Sequence, residues 1–207
     1  MSWNDFRRKH AGQGYTLPQL RTMYRRQSYP PKCNARVSLH ELMMDHVYRT
    51  LMFVQAWYHR SSYLPALQAY LLSNQDDIGN AFGNVWGKVV GRLVAKLFRE
   101  HILGAVPILK AAKAEKKVAL AKAIKAWRVN AHKIAVAMNS LDSVRYSLAD
   151  VERELNEHLD HTIAYASAVL GEDHEATIIE FEKARKHMSH FADIINAGVV
   201  AKLDGKT

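Results

Sequence analysis

Three stretches of the chain repeat one short pattern able to do chemistry: an acid, a histidine and a branched apolar residue. They are Asp45-His46-Val47, Glu100-His101-Ile102 and Glu157-His158-Leu159. The histidines stand 55 and 57 residues apart, and each is followed 28 or 29 positions later by another polar residue, Asn74, Asn130 and His187. Imidazole can ligate a metal, move a proton, or share a hydrogen bond with an amide. The third occurrence is the richest, with Glu154, Glu157, His158 and His161 within two helical turns, and His187, His190 and Asp193 on the following helix. Imidazole and carboxylate at i, i+3 and i+4 spacing is what a transition-metal site on a helix requires.

Two readings of these positions stand side by side. In the first, each inward histidine meets the inward Asn or His of its partner helix, and the pair is a clasp that satisfies buried polar groups and fixes register. In the second, His46, Asn74, His101, Asn130, Glu154, His158, His161, His187 and His190 contribute to a metal or small-ligand site, with a divalent metal compatible but not required. Helical geometry puts His46 on the flank of the stripe formed by Leu42, Met43, Val47, Leu51 and Val54, and turns the preceding acid toward solvent. Familiar catalytic signatures do not occur. There is no Gly-rich phosphate loop, no Gly-x-Ser-x-Gly elbow, no His-Glu-x-x-His, no Glu-x-x-His pair and no paired cysteines. No catalytic residue is assigned, and the expectation leans away from an enzyme.

The elements that must hold these residues read as helices. Apolar periodicity predicts six, at about 38–60, 65–82, 87–112, 115–139, 147–171 and 174–203, with no sustained period-2 alternation between them. Ser38-Leu39-His40-Glu41 reads as a capping box for the first, and Ser147-Leu148-Ala149-Asp150 caps the fifth. Pro107 predicts a kink in the third near Leu103–Gly104. The repeat offsets agree beyond the polar residues: Asn74 precedes Ile78-Gly79, Asn130 precedes Ile134-Ala135 and His187 precedes Phe191-Ala192. The expected fold is therefore all-α: a six-helix bundle of three helical hairpins with an internal threefold repeat, plus a short N-terminal helical arm. Residues 1–37 form the basic arm and linker, and residues 38–205 the bundle domain.

Charge separates the same two parts. Of the net +9, residues 1–39 hold eight Lys/Arg against one acid, while residues 40–207 hold 21 against 19. Within the bundle, residues 84–133 are basic, with twelve Lys/Arg and two acids, and residues 134–207 acidic, with seven and thirteen. In the arm, Thr16-Leu17-Pro18-Gln19 opens a short helix, and Ser28-Tyr29-Pro30-Pro31 begins a linker. Arg7, Arg8, Lys9, Arg21, Arg25 and Arg26 interleave with Trp3, Phe6, Tyr15 and Tyr24. Cations and rings on so short a segment fit a phosphate backbone, an acidic protein surface, or docking on the bundle itself. The single cysteine, Cys33, excludes an internal disulfide and fits a reducing, cytoplasmic compartment. No apolar run follows the first basic residues, so no signal peptide is expected, and none is long enough to span a membrane.

Residues 40–205 resemble a family of small, uncharacterised bacterial helical-bundle proteins. The matching stretches are Asp45-His46-Val47, Asn74-Gln75-Asp76-Asp77-Ile78-Gly79, Glu100-His101-Ile102-Leu103, Trp127 with Asn130, Glu157-His158-Leu159-Asp160 and His187 with Ala192-Asp193. The arm, through Trp3-Asn4, Phe6-Arg7-Arg8-Lys9-His10-Ala11-Gly12, Gly14-Tyr15 and Leu20 with Met23-Tyr24-Arg25, is similar to short N-terminal segments of large DNA virus proteins. That second resemblance implies a virion or DNA-associated role. The leading expectation is a non-enzymatic interaction or structural protein, packaged in a virus particle, whose arm (residues 1–36) binds nucleic acid or a capsid protein. The alternative is a metal- or small-ligand-binding bundle with its site around His158 and His187.

Overall fold

The computed structural model describes residues 3–14, 16, 19–20 and 35–205, and the chain falls into two units, Met1–Ala35 and Arg36–Thr207. In the first unit, α1 (Trp3–Lys9) is followed by a reciprocal capping box. The Thr16 backbone N–H donates to Gln19 Oε1 at 2.8 Å and the Gln19 N–H to Thr16 Oγ1 at 3.4 Å. Most of the helix expected after Gln19, and the linker with Cys33, lie outside the described residues.

The second unit is all helix and turn among the described residues: α2 (Ala35–Tyr58), α3 (Leu64–Trp86), α4 (Lys88–Lys113), α5 (Lys117–Asn139), α6 (Leu148–Leu170) and α7 (His174–Leu203). These pair as three hairpins, each tied by a side-chain bond from its second helix to its first, and no described helix is long and apolar enough to cross a membrane. Two boundaries differ from expectation. Helix α2 begins before Ser38, which is therefore inside the helix rather than its cap, and α3 continues through Gly83 to Trp86. Helix α4 runs unbroken through Pro107. The cap of α6 is as read, with Asp150 N–H donating to Ser147 Oγ at 3.2 Å.

The hairpin tips show how closely the three units repeat. Arg60, Glu115 and Glu172 all adopt left-handed φ values of 52°, 53° and 56°. Each is followed by the same long turn bond: Ser61 N–H to Ala56 O at 2.9 Å, Lys116 N–H to Ala111 O at 2.9 Å, and Asp173 N–H to Ala168 O at 3.0 Å. This is the Schellman closure, which satisfies carbonyls left over at a helix end.

Glycine decides the junction between the first two hairpins. Helices α3 and α4 are separated by Gly87 alone, at φ 95°, and cross at Gly79, Gly83 and Gly91. A Cβ built on Gly91 would lie 2.6 Å from Gly79 O and 2.7 Å from Gly83 Cα, so the backbones touch directly. The third hairpin is pinned differently: Tyr146, in the loop before α6, is fully buried and its hydroxyl donates to Ile195 O on α7.

Candidate functional site

The first member of each hairpin carries its repeated histidine to a common centre. His46 (α2), His101 (α4) and His158 (α6) are all buried, with ring centroids 5.5, 5.7 and 6.4 Å apart. Position by position, the helices supply layers around them. One turn earlier stand Leu42, Leu97 and Glu154; one turn later, Thr50, Ala105 and Thr162; and beyond those, Val54, Leu109 and Ala166. The small middle layer leaves a cavity of about 30 Å³ against the histidines.

The second member of each hairpin reaches back by a repeated bond. Asn74 Nδ2 donates to Leu42 O at 2.9 Å, Asn130 Nδ2 to Leu97 O at 3.1 Å, and His187 Nε2 to Glu154 O at 2.9 Å. Each acceptor is the carbonyl four residues before the repeated histidine. The direct imidazole–amide pair forms once, His101 Nδ1 donating to Asn130 Oδ1 at 3.1 Å. The amide orientation fixes that tautomer, because its nitrogen is committed to Leu97 O. His46 is instead met by Gln75, whose Nε2 lies 3.3 Å from His46 Nδ1 and 3.0 Å from Asn74 Oδ1. His158 lies parallel to His187 at 6.5 Å, and its buried Nδ1 has no protein partner.

Burial sets the protonation of the three rings. It pushes His46 down to about 3, with His101 and Arg49 adding to the effect. It pushes His101 down to about 4 against the opposing bond to Asn130. His158 is lowered well below the ordinary histidine value by burial, then by His46 and His101. All three are neutral at pH 7.

The third hairpin departs from the other two at two positions that touch. Where they have Leu42 and Leu97 it has Glu154, only 4% exposed, and where they have Asn74 and Asn130 it has His187. His187 Nε2 donates to Glu154 O, which leaves Nδ1 facing Glu154 Oε2 at 3.9 Å and Glu157 Oε2 at 3.7 Å. Among the described residues, the metal-ligating atoms gathered within 4.8 Å of one another belong to Glu154, Glu157 and His187, and the axial histidines stand wider than that. Arg153 Nη2 donates to Glu154 Oε1 at 3.3 Å, while buried Glu154 Oε2 has no hydrogen-bond partner. His190 Nε2 lies 4.0 Å from Glu154 Oε1 on the exposed side, and the His161 ring lies 5.3 Å from that of His187.

No family model, characterised protein or solved structure matches the chain. The site must therefore be read from its own geometry.

The residues singled out by sequence thus fall into two neighbouring groups. His46, His101 and His158 meet on the axis; Glu154, His187 and His190, with His161 beside them, meet on the third hairpin. Asn74 and Asn130 serve as clasps. Sequence reading turned Glu157 toward solvent. It is half exposed, yet its carboxylate reaches back to His187. Gln75, fully buried, was not among the expected site residues, and its signal was adjacency to Asn74 on the buried side of α3. In the arm, Arg7, Arg8 and Lys9 form the exposed last turn of α1, with Arg8 paired to Asp5 at 2.8 Å; Arg21, Arg25 and Arg26 lie outside the described residues.

Proposed function

We propose that the chain is a divalent-metal-binding helical bundle, with Glu154, Glu157 and His187 as the protein ligands and His190 at the open edge. The observation that carries it is the buried Glu154 Oε2, without a hydrogen-bond partner, gathered with His187 Nδ1 and a Glu157 carboxylate oxygen within 4.8 Å of one another. A divalent cation between these three atoms would satisfy the buried carboxylate oxygen and take Nδ1 as its imidazole ligand. Zn²⁺-type bonds of about 2.0–2.2 Å place neighbouring ligand atoms about 3.3–3.6 Å apart, so the 3.7 and 3.9 Å spacings need only a few tenths of contraction. The His187–Glu154 carbonyl bond is the outer-shell contact that orients a ligating imidazole. One imidazole and two carboxylates suit Zn²⁺, Mn²⁺ or Fe²⁺, and three protein ligands leave positions for exchangeable molecules.

The protein contains its own control. The double variant Glu154→Leu/His187→Asn installs what the other two hairpins carry, keeps an amide donor for the carbonyl of residue 154, and removes the ligands. Untagged wild-type protein should hold one metal per chain by elemental analysis and gain thermal stability with added Zn²⁺ or Mn²⁺. The double variant should fold and bind at least tenfold more weakly. Absence of a stoichiometric metal in the wild type, with no thermal shift on metal addition, would refute the reading.

A second reading, polyanion binding through the arm, is supported by the exposed Arg7, Arg8 and Lys9. Deletion of residues 1–36 should then abolish salt-dependent retention on DNA, and unchanged affinity would exclude it.

A further inference from the structure

Helix α5 has a charge pattern that the other two hairpins do without. Its 23 residues hold five cations, Lys117, Lys122, Lys125, Arg128 and Lys133, and no Asp or Glu. At the same place in the first hairpin, α3 holds two acids, Asp76 and Asp77, and no Lys or Arg. In the third hairpin, α7 balances four acids with four Lys/Arg. The repeat therefore folds without this excess of charge. Spacing gathers much of it on one side. Val118, Lys122, Lys125, Val129, Lys133 and Val136 recur three or four residues apart, so they share a face of the helix, and all six are exposed. Arg128 is tied to Asp160 and Asn156 on α6. Lys117, Lys122, Lys125 and Lys133, also exposed, meet no acid among the described residues. At 1.5 Å per residue, the row from Lys117 to Lys133 is about 24 Å long.

We infer that the outer face of α5 binds duplex nucleic acid along its phosphate backbone, without reading the bases. A duplex carries one negative charge for about every 1.7 Å of its axis, so a straight row of cations keeps contact along its length and releases a counterion at each phosphate. The exposed face has no Arg, Asn or Gln to read a base edge, and lysine on phosphate carries no sequence information. It also has no aromatic ring on which unpaired bases could stack, since Trp127 is buried. Its apolar members are Val and Ala, not the Trp, Phe or Leu that anchor a helix in a lipid interface. The surface lies on the bundle, not the arm, and is independent of the metal reading.

The test measures binding of the full chain to a short DNA duplex by fluorescence anisotropy across about 50 to 200 mM salt. Lys122→Gln/Lys125→Gln/Lys133→Gln removes three phosphate contacts, while Lys183→Gln/Lys186→Gln/Lys202→Gln removes equal charge from α7. All six side chains are exposed, so neither variant disturbs the core. The arm is the same in all three proteins, and its contribution cancels in the comparison. At about 0.9 per contact, the α5 variant should flatten the slope of log K against log salt by about 2.7 and weaken binding at least tenfold. The α7 variant should keep the wild-type slope, and duplexes of unrelated sequence should bind alike. An unchanged slope in the α5 variant, or an equal change in the α7 variant, would overturn the inference. So would tighter binding to oligothymidine, polyglutamate or phosphatidylserine vesicles than to the duplex.

Discussion

Lowering the pH should destabilise this bundle well before its carboxylates titrate, and the axial histidines set the size of the effect. Both His46 and His101 have 6.5 as their ordinary value and are pushed down to about 3 and about 4 in the folded chain. Between pH 6.5 and those values the unfolded chain binds protons that the folded chain refuses, so stability falls as pH falls. Each unit of separation corresponds to about 1.36 kcal/mol per group. At pH 5 each histidine has therefore cost about 2 kcal/mol, and the pair about 4 kcal/mol, against the 5–15 kcal/mol typical of a domain. The loss begins below pH 6.5 and is complete for His101 near pH 4 and for His46 near pH 3. Urea unfolding followed by circular dichroism at pH 7.5, 6.5, 5.5 and 5 gives the slope, which should exceed that of a variant lacking both rings by close to two protons per chain. The control is His46→Gln/His101→Gln, which keeps polar groups in place but cannot titrate. A wild-type slope no steeper than the control's across this window would refute the claim that these rings are buried and neutral.

Three further perturbations probe the frame. Gly91→Ala places a methyl against the backbone of Gly79 and Gly83, so the α3–α4 crossing must open; a loss of about 2–4 kcal/mol by chemical denaturation is expected. Tyr146→Phe removes the hydroxyl's bond to Ile195 O, a carbonyl that the helix also engages, and should cost about 0.5–1.5 kcal/mol, with a matching fall in Tm. Glu115→Gly relieves a left-handed residue at a hairpin tip and should raise stability by up to about 1 kcal/mol, whereas Glu115→Val should lower it.

The fold was largely legible because the core repeats at helical spacing and the polar positions repeat at unit spacing. Ser147 announces its helix start through a side chain that does cap, and the structure adds Asp173 as the cap of α7, with Ala176 N–H donating to Asp173 Oδ1 at 2.9 Å. The hairpin tips were less legible, since left-handed φ usually advertises itself through glycine and here falls on Arg60, Glu115 and Glu172. Their 55- and 57-residue separations match those of the histidines, a signal visible only once the backbone is known. The convergence of His46, His101 and His158 was equally out of reach. Periodicity says that a side chain points inward, but not whether three inward side chains from different hairpins share an axis.

Threefold repetition also separates what the fold needs from what it does not. Two hairpins show that a leucine one turn before the histidine, with an asparagine donating to its carbonyl, is sufficient to build the unit. Replacing that leucine by Glu154 buries a carboxylate, which is unfavourable unless a charge or donor answers it. Arg153 answers one oxygen from the exposed side, and the other faces His187 Nδ1, itself a substitution away from the repeat. A single departure could be tolerated drift. Two departures in contact, each adding a metal-ligating atom aimed at the other, while the backbone bond of the repeat is kept by His187 Nε2, are better explained by a ligand shared between them. The axial trio gives the opposite case: all three hairpins keep the histidine although its burial destabilises the folded state in acid. Apolar residues could fill that layer at no such cost. The three imidazoles line one end of the axial cavity, and the small Thr50–Ala105–Thr162 layer is what leaves it open.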